Sequence, residues 1–181
     1  MANNWKKVLA KLKGYKPEEL LGLLEDIYHL GEEARLYLDT KVLGKPEKPM
    51  AYKSIIKGAL SADLAYGEDL EWDKADKAIK NFRLASPDDT EGLAELLVYY
   101  VEVANQFTLD YGDVDEGYYE SIEESFQEAV DHLLMMDRER QEVTPYVLRL
   151  RAIVHSTDGI GWGYHDALYA KYCEAFGVPQ E

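Results

Sequence analysis

The chain has 181 residues, long enough for a single domain that buries roughly 70% of the surface its unfolded form exposes, so neither a disulfide nor a metal staple is required. A composition of 46% hydrophobic and 30% charged residues excludes a disordered tail, and Cys173, the one cysteine, excludes an intramolecular disulfide and a multi-cysteine metal cluster. A net charge of −15 argues against direct nucleic-acid binding, which depends on Lys and Arg displacing phosphate counterions.

The stretch from Met1 to Gly14 carries Lys6, Lys7, Lys11 and Lys13 among short apolar steps, without the continuous apolar core of a signal peptide. No run approaches the roughly 20 apolar residues of a membrane span, so a cytoplasmic protein with no membrane partner is expected. Pro17 suits a first helical position, and Leu20, Leu23, Leu24, Ile27 and Leu30 follow one face up to Gly31. A second helix runs from Glu32 to Gly44 and pairs with the first as a hairpin. Ile55, Ile56 and Leu60 mark a helix that ends before Gly67. Trp72, Ala75, Ala78, Ile79 and Phe82 stripe the next.

Ser86-Pro87-Asp88-Asp89 ends that helix and starts another, with Ser86 as cap and Pro87 in the first position. From Gly92 to Phe107 apolar side chains occupy most faces, the pattern of a central buried helix. A helix from Asp115 to Met136 turns Tyr119, Ile122, Phe126, Ala129, Leu133 and Met136 inward and Glu120, Glu123, Glu124, Gln127 and Asp131 outward. Thr144-Pro145 caps a helix ending by Thr157-Asp158-Gly159. The last, Gly163 to Phe176, directs Leu168, Tyr169, Tyr172 and Phe176 inward and stops at Gly177. The expected fold is all-α, an irregular antiparallel bundle or short stack of helical hairpins, with seven to eight helices in one domain over residues 1–181.

The charge is concentrated in one place. From Leu84 to Asp137 there are fifteen Asp and Glu residues and not one Lys or Arg, while the rest of the chain balances at 20 against 20. That segment should carry a strongly negative field, suited to a basic protein partner or a cation or serving solubility alone. Within it, Asp110, Asp113, Asp115 and Glu116 are the densest acids. Their oxygens and glycine do not fit a calcium loop, so capping and solvation explain them better.

A second candidate is the turn Gly159-Ile160-Gly161-Trp162-Gly163. Its amides open a helix and could bind an anion, though no strand precedes it as in a dinucleotide fingerprint. The simpler account is a tight glycine corner with Trp162 plugging the core. Arg151, His155, His165 and Asp166 flank it, with Asp158 nearby. If the turn folds back they could converge on a metal, a phosphate or an acid–base pair. Half-exposed or hydrogen-bonded helix-end histidines are the plainer alternative. Cys173, inside the last helix, reads as a quiet structural thiol.

Four stretches carry a family resemblance: Lys77-Ala78-Ile79-Lys80-Asn81-Phe82, Leu97-Val98-Tyr99-Tyr100-Val101-Glu102, Phe107-Thr108 with Tyr111-Gly112-Asp113, and Gly159 to Asp166. Through them the chain, from about Lys16 to Phe176, resembles a family of uncharacterised bacterial proteins, a domain of unknown function of the DUF6155 type. The resemblance implies a helical bacterial protein and assigns no cofactor and no catalytic residue. From the one-sided charge and the lack of a coherent catalytic set, the expected function is a non-catalytic interaction or scaffold module with an acidic binding face. A metal- or phosphate-dependent enzyme on the last two helices, or an acidic nucleic-acid mimic, is the alternative. Neither cofactor, metal nor oligomeric state is specified by the sequence.

Overall fold

The computed structural model describes residues 4–44, 48–61, 69–112, 114–136 and 145–177. Among them 82% are helical, and there are nine helices and no strand. The nine are α1 (Trp5–Leu12), α2 (Pro17–His29), α3 (Glu32–Leu43), α4 (Lys48–Leu60), α5 (Trp72–Ala85), α6 (Thr90–Tyr111), α7 (Glu116–Met135), α8 (Pro145–Ser156) and α9 (Tyr164–Phe176). The all-α expectation holds, and the count of seven to eight is one short. The addition is α1, which at eight residues is shorter than the window over which a helical periodicity is read.

The chain divides into two compact units, Met1–Lys45 and Pro46–Glu181. In the first, α2 begins at Pro17 with the Lys16 backbone amide donating to the Glu19 carboxylate at 2.7 Å, the reciprocal half of a capping box. It packs on α3 as the expected hairpin. No hydrophobic side chain of this unit is buried among the described residues; Thr40 is its one buried residue.

In the second unit α6 is the hub, touching α4, α5, α7 and α8, while α9 packs on α7 and α8. The apolar residues on most faces of α6 dictate this position. Leu96, Val98 and Val101 are completely buried, and Leu97 and Ala104 nearly so. Tyr52 of α4 meets Phe82 of α5 edge to face at 5.3 Å, and Ile122, Phe126 and Leu133 of α7 close the other side. Leu150 of α8 and Leu168 of α9 complete the core.

The start of α6 differs from the sequence expectation. Asp89, not Ser86, is the cap: its carboxylate accepts from the Gly92 amide at 2.8 Å, and Pro87 lies in the preceding turn. Asp89 wins because it stands three residues before an amide that its short side chain can reach. Gly92 makes room for that contact, since a Cβ there would lie 2.7 Å from the carboxylate. Asp115 caps α7 as expected, accepting from the Tyr118 amide at 2.9 Å. Asp113 and Thr144 lie outside the described residues. Among those described, no helix is long and apolar enough to cross a membrane.

Candidate functional site

The α8–α9 corner is held by structural hydrogen bonds. Gly159 and Gly163, both with positive φ, let the chain reverse between Ser156 and Tyr164. Trp162 also adopts the left-handed region, at φ 61°, and this turns its indole outward, 58% exposed. The expected core plug is therefore not Trp162. Tyr164, two residues on and completely buried, fills that place against Tyr119, ring centroids 4.8 Å apart. Its hydroxyl donates to Asn105 Oδ1 at 3.0 Å, and Asn105 Nδ2 donates to Ser156 Oγ at 2.9 Å. One polar chain, buried at Tyr164 and Asn105, thus ties α6, α8 and α9 together.

His165 belongs to the same fastening. The Thr157 hydroxyl gives its hydrogen to the Val154 carbonyl at 2.7 Å, so both oxygens facing Nδ1, at 3.0 and 3.1 Å, are acceptors. Nδ1 must carry the proton, and the ring stacks on Tyr169. Tyr169 is 39% exposed rather than inward as expected. His155 and Asp166 are exposed and Arg151 is half-buried. Among the described residues no three His, Cys, Asp or Glu side chains are grouped to hold a metal.

The acidic segment separates into two parts. On the α4–α8 side of α6, Arg149 donates through Nε and Nη2 to both oxygens of Glu102, each at 2.6 Å, and through Nη1 to Glu95, also at 2.6 Å. Lys53 of α4 forms an ion pair with Glu95 and sits over the Tyr99 ring. Burial pushes Glu95 up, but hydrogen bonds and charge from Lys53 and Arg149 outweigh it and hold the carboxyl below its ordinary value. Burial likewise works against the Arg149 charge, and the two carboxylates raise its pKa despite that. These acids are already committed to the fold.

On α7 the positions 120, 124, 127 and 131 form one outward stripe, at i, i+4, i+7 and i+11. Glu120, Glu124 and Asp131 are exposed. Asp131 accepts from Gln127 at 2.8 Å, and none of the three carboxylates forms an ion pair with a described cation. Glu123 lies off the stripe and is half-buried. Burial raises its carboxyl, and Lys171 of α9 pulls only partly in the other direction.

Beside the stripe, a groove of about 590 Å³ runs between α5 and α7 with α6 as its floor. Trp72 closes one end against Tyr118, ring centroids 5.5 Å apart, and Leu97 and Tyr100 supply an apolar floor. The Tyr100 hydroxyl donates to Asp76 at 2.7 Å. Burial, reinforced by that carboxylate, raises the phenol. Arg83 of α5 reaches across to Glu128 of α7 at 2.6 Å. Glu124 lines the groove and belongs to the acidic stripe, so the two features form one continuous surface.

The groove was missed in the sequence because α5 and α7 are separated by the whole of α6. The one available signal was the aromatic pair Tyr99-Tyr100, of which Tyr100 faces the groove and Tyr99 the Lys53 side. Comparisons with family models, curated proteins and solved structures give no match to this chain, and the DUF6155-type resemblance stands as a proposal.

Proposed function

We propose that this chain is a non-catalytic interaction module that receives a basic protein segment on the outward face of α7 and in the adjoining α5–α7 groove. One observation carries the reading. Glu95, Glu102 and Glu128 of the acidic segment have cationic partners within the fold, whereas Glu120, Glu124 and Asp131 point into solvent with none among the described residues. Exposed like charges along one helix face repel each other, and a partner bearing Lys or Arg relieves that repulsion. The groove supplies an apolar and aromatic floor on which the aliphatic stem of such a side chain can lie. The catalytic alternative on the last two helices is less favoured, since His165 and Tyr164 there already serve the packing of the corner.

A lysine-rich amphipathic peptide, labelled for fluorescence anisotropy, tests this reading. Affinity should fall as salt rises, and the variant E120Q/E124Q/D131N should bind roughly tenfold more weakly, at about 0.5 kcal/mol per exposed pair. Equal affinity for the variant and the parent protein would refute the proposal.

A further inference from the structure

The α5 wall of the groove carries a second recognition element. Trp72 and Asp76 stand at i and i+4 of α5, so they share one side of the helix, one turn apart. Trp72 is half-buried, in edge-to-face contact with Tyr118 and tilted at 40° to the Tyr100 ring with centroids 6.2 Å apart. Asp76 is exposed, and the Tyr100 hydroxyl uses only one of its two carboxylate oxygens. Glu124 lines the same groove from α7. Neither carboxylate forms an ion pair with a described cation: Arg83 is taken by Glu128 at 2.6 Å, and Lys80, though one turn beyond Asp76, makes no ion pair with it.

Two carboxylates beside an aromatic ring form an arrangement that the fold elsewhere fills with arginine. Arg149 donates to Glu102 and Glu95 at once, and its guanidinium carbon lies 5.7 Å from the Tyr146 ring centroid. A planar fork of five donors can bond two carboxylates and lie along a ring together, whereas the ammonium of lysine is a compact, strongly hydrated point charge. Tryptophan is the ring that attracts a cation most strongly, and arginine is the cation found over such rings more often. We propose that the Trp72 end of the groove takes an arginine side chain of the basic partner, its guanidinium lying along the Trp72 ring and donating to Asp76 and, across the groove, to Glu124. Lys80 restricts the site to one such residue, since its charge opposes a second cation further along the α5 wall. This inference rests on the α7 reading and sharpens it. The α7 stripe supplies attraction at long range, and Trp72 with Asp76 supplies the choice of arginine over lysine.

Two peptides of one sequence, with every basic position Arg in one and Lys in the other, provide the test when titrated against the full chain by fluorescence anisotropy. The arginine peptide should bind roughly fivefold more tightly. Asp76→Asn keeps an acceptor for the Tyr100 hydroxyl and so preserves the fold, and it should bring the two peptides within about twofold of each other. Trp72→Leu should do the same, with its melting temperature recorded because the contact with Tyr118 is lost. Equal affinity of the two peptides for the parent protein, both falling with E120Q/E124Q/D131N, would overturn this inference and leave the α7 reading standing. So would an arginine preference that persists undiminished in Asp76→Asn, which would place the arginine elsewhere. Free arginine amide binding as tightly as the peptide would also overturn it, since the site would then belong to a small guanidinium compound. Insensitivity of both peptides to E120Q/E124Q/D131N is the separate failure of the α7 reading, and this inference falls with it.

Discussion

Two regions of the acidic segment, alike in composition, differ in what the fold does with them. On α6, Glu95 and Glu102 are half-enclosed and matched by Lys53 and Arg149, cations supplied from α4 and α8. On α7, Glu120, Glu124 and Asp131 face water. The difference shows that net charge in a sequence does not measure the field a protein presents. Cations distant in sequence neutralise part of the charge, and only the remainder is available to a partner.

The comparison can be broken first at its structural end. Tyr164→Ala empties a completely buried aromatic site and removes the donor to Asn105, so it should lower stability by about 3–5 kcal/mol. Trp162→Ala, at an exposed position, should change it by less than about 0.5 kcal/mol. Urea unfolding of the two variants reads the contrast, and similar losses for both would contradict the description of the corner.

Next comes Arg149→Met, which removes the cation bonded to half-buried Glu102 and leaves Glu95 with Lys53 alone among the described cations, and should reduce stability by about 2–3 kcal/mol. The effect should depend on pH. The Glu95 carboxyl is depressed in the fold, so its contribution is present above the ordinary value of 4.5 and is lost as pH falls through the depressed value. The gap between parent and variant should therefore be widest at neutral pH and narrow in acid. A gap that widened in acid would show that the network does not act through ionised Glu95.

The smallest effects belong to α7. E120Q/E124Q/D131N should leave stability within about 0.5 kcal/mol of the parent, or raise it slightly by removing repulsion. Glu123→Gln should give a gain of similar size at neutral pH. The raised carboxyl of Glu123 means that its charged form is disfavoured in the fold, so stability falls as pH rises through its titration. A loss of several kcal/mol in either variant would place these acids among the structural ones.

Much of the fold was legible because its signals are local. Pro17 and Pro145 opened helices, Asp115 capped α7, and the all-round apolar pattern of α6 announced the hub. What failed depended on geometry beyond the immediate sequence. Trp162 looked like a core residue by chemistry, but one left-handed backbone step faces it outward and gives its place to Tyr164. Arg151, His155, His165 and Asp166 were close in sequence, yet His165 is occupied by Thr157 and Val154 while His155 stands exposed. The pairing of Arg149 with Glu95 and Glu102 spans about fifty residues, and no periodicity encodes it. The four outward acids of α7 were legible as a face, except that Glu123 turns toward α9.

The central claim is that a basic segment binds at the α7 stripe and the α5–α7 groove, and locating a bound probe tests it most directly. Amide shifts of the full chain, followed by NMR as the lysine-rich peptide is added, should move for α7 residues around Glu120, Glu124 and Asp131 and for Trp72 and Asp76 along the groove. Shifts confined to the α8–α9 corner around His155 and Asp166, or no shifts at peptide concentrations that saturate anisotropy, would contradict it.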